Sequence, residues 1–332
     1  MKLSILDQSI VGRSITPTQA IQNTATMVKL ADELGYTRFW ISEHHNMRVV
    51  AGSTPEVLLA HLGGESKRIR IGSGGIMLPN HSALKVAENF KMLEALFPGR
   101  IDLGIGRAPG GDRLAAYLLN PSNQFSEQDF LMQLAELEGY FTNSKELGTV
   151  HEKVLASPVV ETMPEQWMLT SSGGSGRIAA KLGMAFSFAH FINPNGGPDA
   201  ADDYRRLFKP SQSLAAPKVN FSIFGFCSED EEAVERWKTE FSYRMLRIEM
   251  GMDGSLPSYE EIRATKFTPE QQMRIKYNLG RMVAGTPAEM KQKLTLLADA
   301  YKTDEVMLAT FSEDFNETKK SFELLAAVFG LK

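Results

Sequence analysis

Short apolar, β-prone runs alternate with amphipathic helical stretches along almost the whole chain, and the joints between them are short. Strands are expected at residues 3–6, 37–41, 69–76, 101–106, 166–170, 184–189, 218–226 and 305–309, each followed by a helix. Helix boundaries are marked locally. Thr16-Pro17 sets proline at a first helical position, Gly35 ends that helix, and Pro98-Gly99 closes the stretch that begins at His81. Consecutive strands with helical crossovers call for a parallel sheet, and eight such units argue for a closed (β/α)8 TIM barrel. A doubly wound open sheet satisfies the same alternation. Two segments interrupt it. Residues 149–160 read as an inserted hairpin. Residues 251–280, with Gly251, Gly254, Pro257, Pro269 and Gly280 among charged residues, read as a mobile lid or a solvated excursion before the last helix–strand unit. The whole of 1–332 is expected to be one domain.

A chain of 332 residues, 43% hydrophobic, suits one large α/β core. The formal charge of −4, with no basic stripe, argues against nucleic acid and anionic membrane as partners. The single cysteine, Cys227, excludes an internal disulfide and reads as an incidental thiol in a reducing, cytoplasmic setting. The N-terminus reaches Asp7 with no signal-like apolar core, and no apolar run approaches the roughly 20 residues of a membrane helix.

Chemistry is expected where strands end, because parallel strands deliver their carboxyl termini to one face. Phe39-Trp40-Ile41 suits a buried strand and breaks into Glu43-His44-His45. An imidazole held there exchanges protons near neutral pH. A structural histidine is the alternative. A metal pair is less well supported, since adjacent histidines seldom share one ion and no Cys/Asp cluster accompanies them. Thr170-Ser171-Ser172-Gly173-Gly174-Ser175-Gly176 follows the fifth strand and opens a helix. Its N–H groups and hydroxyls suit a phosphate, although no P-loop or GxGxxG spacing is present; a flexible turn is the alternative. Arg107 ends the fourth strand and either joins that anion site or makes a surface ion pair. Gly72-Ser73-Gly74-Gly75 marks unusual backbone, close approach of a flat ligand, or a plain strand end. Asp102, in the middle of a strand, is expected on the barrel's outward face.

Five blocks in register carry a resemblance: Phe39–His45, Ile71–Pro79, Pro98–Arg107, Ser171–Gly183 and Val283–Glu289. Together they resemble the bacterial luciferase-like flavin monooxygenases, and the Ile101–Gly111 stretch looks closest to bacterial members of unassigned substrate. The resemblance implies FMN at the C-terminal face of the barrel, delivered reduced by a separate flavin reductase, and reaction with O2 through a flavin hydroperoxide. By matching position, His44 is the active-site histidine with Glu43 and His45 beside it. Arg107, Ser172, Gly173 and Ser175 hold the phosphate. Gly74-Gly75, next to Ser73, is a cis peptide under the ring. Asp112 falls within one position of an acid that orients the histidine. No metal is implied. Gly106 stands where the light-emitting subunit has a reactive cysteine, which argues against light emission. A homodimer through helices at 54–66 and 82–97 is implied. A deazaflavin-dependent dehydrogenase on the same fold, or a flavin-binding protein without turnover, are the competing readings.

Overall fold

The computed structural model describes residues 1–146, 148–252 and 256–332. In chain order the elements are β1 (Lys2–Asp7), α1 (Pro17–Glu33), β2 (Arg38–Ile41), α2 (Pro55–Glu65), β3 (Arg70–Met77), α3 (Ala83–Leu96), β4 (Ile101–Gly106), α4 (Arg113–Leu119), α5 (Glu127–Phe141), β5 (Glu165–Thr170), α6 (Gly173–Leu182), β6 (Ala185–Ala189), α7 (Gly197–Leu207), β7 (Val219–Cys227), α8 (Glu231–Glu249), α9 (Tyr259–Ala264), α10 (Pro269–Leu279), β8 (Met282–Gly285), α11 (Pro287–Tyr301), β9 (Glu305–Ala309) and α12 (Phe315–Phe329). β1 to β7 pair in sequence, β9 joins β7 to β1, and the closed parallel barrel has eight strands. The open-sheet alternative is excluded.

Three expectations are corrected, and the 251–280 segment gains detail. Residues 149–160 contain no strand; a 3₁₀ turn at Val150–Glu152 replaces the expected hairpin. A ninth short strand, β8, was hidden beside the helix signal Thr286-Pro287. It pairs with residues 224–227 of β7, immediately above the 219–222 stretch that pairs with β6. Lys218 O and Phe224 N, both of even-numbered residues, serve β6 and β8 respectively, so β8 takes over the same edge of β7. The 251–280 excursion is substantially helical: α9 and α10 each open with a capping box, from Ser258 and Thr268. Its residues 253–255 lie outside the described residues. Finally, Asp102 faces inward.

That inward turn follows from the register. Arg38, Trp40, Asp102, Glu165, Trp167 and Glu305 belong to one face of their strands. The alternating residues Phe39, Ile41, Leu103, Met168 and Val306 pack outward in the layer between barrel and helices. At the foot of the barrel the Arg38 guanidinium bonds Asp102 Oδ2 at 2.7 Å, Glu165 Oε1 at 2.9 Å and Glu305 Oε1 at 2.8 Å. Arg70 reaches Asp102 Oδ1 and Lys218 reaches Glu165. Trp40 Nε1 donates to Asp102 Oδ2 at 2.9 Å and meets Trp167 edge-on at 5.3 Å. Glycines of β3 leave room for these inward side chains. A Cβ on Gly72 would stand 2.5 Å from Asp102 Cβ and 3.0 Å from Trp40 Cδ1, and one on Gly74 would stand 2.7 Å from Leu6 Cδ1.

Arg38 has only 3% of its side chain exposed, and its neighbouring carboxylates hold it firmly charged against the cost of burial. Arg38→Leu is expected to cost about 3–5 kcal/mol, because it strands Glu305 without a counter-charge and leaves Asp102 with Arg70 alone. Urea unfolding measures this; a loss below about 1 kcal/mol would show that the plug is dispensable.

Candidate active site

The plug and the tryptophan pair fill the lower barrel, so the open volume lies at the carboxyl ends of the strands. A cavity of about 380 Å³ opens there, with Leu6 and Trp40 at its base. Glu43, His44, Gly74, Gly75, Arg107, Ser172 and Ser175 all line it. Three sequence candidates do not. His45 stands behind Glu43. Gly173 begins α6 outside the lining. Ser73 is fully buried with its Oγ spent on β4, donating to Gly104 O at 3.0 Å and accepting from Gly104 N at 3.1 Å.

Glu43 is the most constrained group in the site. Its carboxylate is inaccessible, yet Oε1 meets His45 Nε2 at 2.7 Å and His81 Nε2 at 2.9 Å, and Asn80 Nδ2 at 3.3 Å. Oε2 accepts the Met77 N–H at 2.9 Å. Burial raises the carboxyl pKa, but the bonds from His45, His81 and Met77 together outweigh it and bring it down to about 2. His81 loses proton affinity to burial and regains more from Glu43, ending above its ordinary value of 6.5. Sequence reading did not find Asn80 or His81. Asn80 ends the 3₁₀ turn after β3 and His81 caps it, and nothing in spacing ties them to a glutamate 37 and 38 residues earlier.

His44 differs. Burial, aided by His45, depresses its pKa against the opposing pull of Glu43, so the ring is neutral near pH 7. Nδ1 lies 3.0 Å from Ser42 Oγ, and its backbone N–H donates to Gly52 O. Nε2 has no protein partner among the described residues and belongs to a ring that lines the cavity. Asp112 does not touch it; that carboxylate caps α4 and accepts from Asn46 Nδ2 at 2.5 Å.

Ser172, also on the cavity lining, is the N-cap of α6, and its side chain makes no capping bond. Thr170 Oγ1 instead braces the turn, accepting from Ser172 N and donating to Ser172 O. Arg107 is 46% exposed and pairs with Glu127 at 3.5 Å. The Gly74-Gly75 peptide is cis. Among the described residues, no group of three or more His, Cys, Asp or Glu is disposed to hold a metal, and no helix is long and apolar enough to cross a membrane.

The sequence model of the family described as luciferase-like monooxygenase matches residues 1–303. The uncharacterized protein YwcH of Bacillus subtilis (strain 168) is 41% identical over 330 residues, spanning 99% of each chain. The N-acetyl-S-alkylcysteine monooxygenase of the same organism is 35% identical, covering 98% of this chain and 97% of its own. The crystal structure of apo-MsnO8 superposes with a TM-score of 0.91 at 33% identity, over 100% of this chain and 99% of that one. The oxygenating constituent of 3,6-diketocamphane monooxygenase from Pseudomonas putida, solved with FMN, shares the fold at 18% identity and a TM-score of 0.71, covering 98% and 96%. An F420-dependent secondary alcohol dehydrogenase shares it at 13% identity and 0.65, covering 98% of each chain.

His81 binds its proton more tightly when folded. Its contribution is therefore complete below pH 6.5 and fades as pH rises through its higher folded value. Glu43 works in the opposite sense, contributing fully above pH 4.5 and losing this only as pH falls through about 2. His81→Ala is expected to cost about 1.5–3 kcal/mol at pH 6, and less at alkaline pH as the folded imidazole also gives up its proton. Urea midpoints at the two pH values measure the difference; a loss that does not change with pH contradicts a charged His81–Glu43 pair.

Proposed function

The chain belongs to the luciferase-like monooxygenase family, and from that premise we propose that it uses reduced FMN and O2 to oxygenate a small organic molecule. The main support is convergence. One cavity gathers His44, Gly74-Gly75, Arg107, Ser172 and Ser175, contributed by four separate strand ends.

The residues fit the cofactor. The first-turn N–H groups of α6, orphaned as at any helix start, and the uncapped Ser172 hydroxyl suit a phosphate. Arg107 can exchange its exposed, weak pairing with Glu127 for a phosphate at little cost. Gly74 and Gly75 give a flat surface beside Trp40, and the cavity volume is within the range of small-molecule sites. When bound, reduced FMN supplies the electrons that activate O2.

His44 then accepts or delivers a proton through Nε2, while Ser42 fixes its ring. Glu43, His45 and His81 hold the loop that carries it. Met77, Leu169, Phe191 and Ile192 give the cavity apolar walls that keep water from the reacting centre. We assign closure of the mouth to the 251–280 segment. Its C-terminal end is tied to the wall, where His190 Nε2 meets Gly280 O at 3.1 Å and Arg281 Nε donates to Phe191 O at 2.6 Å. Reduced FMN comes from a transient reductase in this reading.

One titration series tests the reading. Arg107→Ala is expected to weaken reduced FMN roughly tenfold while leaving riboflavin, which lacks the phosphate, unchanged. His44→Ala is expected to bind FMN normally and to lose oxygenation by about 100-fold or more. Hydrogen exchange of α10 is expected to slow when FMN is bound. Preference for a deazaflavin over FMN, or full oxygenation by His44→Ala, would overturn it.

A homodimer through α2 and α3 belongs to the same proposal. Val57, Met92 and Leu96 are 68%, 52% and 55% exposed on those helices, an apolar surface that a second copy would cover. Sedimentation is expected to give a dimer at micromolar concentration that Met92→Glu dissociates; a wild-type monomer would refute this part.

A further inference from the structure

A second hollow, of about 660 Å³, shares no lining residue with the cavity at the strand ends. Its walls come from α8, from α9 and α10 of the 251–280 excursion, from β8 and from Lys293 of α11. Ile262, Phe267, Ile275, Leu279 and Met282 make it apolar. One buried polar group stands in this lining without a protein partner. Ser242, on α8, is 5% exposed, and its Oγ makes no hydrogen bond in the protein. Thr239, on the same helix, donates its hydroxyl back to Glu235 O at 2.9 Å. Ser242 does not turn back in this way, so its hydroxyl remains available to an occupant.

The charges around the hollow have a sign. Lys238, Arg263 and Lys293 line it against one acid, Glu235. Glu289 stands just outside, 3.9 Å from Lys293, and its carboxylate is spent on its own helix start, accepting from Thr286 N at 2.9 Å. Lys238 pairs with Glu235 at 2.5 Å, where the glutamate is 63% exposed and water screens the pair. Arg263 lies over the Tyr259 ring and has no acid partner among the described residues. Lys238 and Ser242 are four residues apart on α8, which makes them neighbours on one helix face, with Cβ atoms about 5–6 Å apart. An anionic group seated on Ser242 Oγ therefore has an ammonium one helical turn away. A neutral head group would use the hydroxyl and leave the cations idle.

We propose that this hollow is a second ligand site, for a linear monocarboxylate with an apolar tail. The carboxylate accepts from Ser242 Oγ and Lys238 Nζ, and the tail lies among Ile262, Ile275, Leu279 and Met282. The volume is within the range of small-molecule sites. Such an occupant touches two parts of the chain at once. α8 and β8 form one wall, and α9 and α10 of the 251–280 segment form the other. A tail buried between them stabilises that segment in the position described here, through a molecule that never enters the strand-end cavity. The site is thus a means of controlling the segment from outside the active site, and it stands whether or not the cavity takes flavin.

Calorimetric titration of the purified protein, free of flavin, with octanoate and with octan-1-ol tests this. The two probes share a tail and differ in the charge of the head. Wild type is expected to bind one octanoate per chain, roughly tenfold more tightly than the alcohol, the ratio carried by one charge-assisted hydrogen bond. In Lys238→Gln the two probes are expected to bind alike. Ser242→Ala is expected to weaken both, while the melting temperature of the free variant holds or rises, since an unpaired buried hydroxyl is removed. Hydrogen exchange of residues 262–279 is expected to slow when octanoate is added to wild type before any FMN. Absence of octanoate binding, or equal binding of acid and alcohol by wild type, overturns the inference, with water then satisfying Ser242. A preference that survives in both variants, or exchange protection around the strand-end cavity in place of 262–279, puts the acid elsewhere and also overturns it. Each of these failures leaves the flavin reading intact, because that reading rests on the other cavity.

Discussion

The Arg38 guanidinium joins four strands from inside the barrel. It sits on β2 and bonds carboxylates from β4, β5 and β9. A closed eight-stranded parallel barrel must fill its interior with side chains, and most do so with branched aliphatics. Here the lower interior is ionic instead: Arg38, Arg70 and Lys218 balance Asp102, Glu165 and Glu305. Such a group is tolerated inside protein only when every charge is paired and hydrogen-bonded. Trp40 and Trp167 lie against it, each donating its indole N–H to one of the plug's carboxylates, at 2.9 Å and 2.8 Å. The position of the cavity follows. The foot of the barrel is closed by ions and the middle by indoles, so open volume remains only at the strand carboxyl ends.

The rim depends on a second buried charge. Glu43 cannot be ionised in an apolar interior unless donors surround it, and His45, His81, Asn80 and Met77 N–H provide them. These bonds couple the loop after β2 to the end of β3 and to the turn that follows. The loop carrying His44 is thereby fixed while, among the described residues, no group bonds Nε2 of His44. The result is two neighbouring histidines with opposite characters: His81 inclined to hold a proton beside the carboxylate, His44 inclined to remain neutral beside the cavity.

Electrostatics at the rim that carries Arg107 follow a different rule. Arg107 and Glu127 are exposed and paired loosely, where water screens them. A site that must take up and release a ligand is better served by such a pair than by a buried one, because exchanging partners there costs little. Permanent charges are thus buried and mutually locked, while the charge assigned to the cofactor stays within reach of solvent.

Much of this was legible in the residues. The alternation of strand and helix fixed the barrel, because periodicity and caps are local properties. The break from Phe39-Trp40-Ile41 into Glu43-His44-His45 marked a strand end with chemistry on it for the same reason. Ordered motifs brought Arg107, Ser172, Ser175 and Gly74-Gly75 to attention, and the fold gathers them around one cavity. What stayed hidden depends on pairing between distant segments. β8 is four residues long and was masked by the helix start beside it. An alternating barrel strand offers Asp102 an outward face; only Arg38, 64 residues away, together with Arg70, makes its inward position possible. His81 and Asn80 became partners of Glu43 through strand register. Sequence alone determined which elements form and where their ends carry reactive groups, since those are short-range matters. Tertiary structure decided which of those groups are charged, neutral or unpaired, since that depends on what the barrel closes around them.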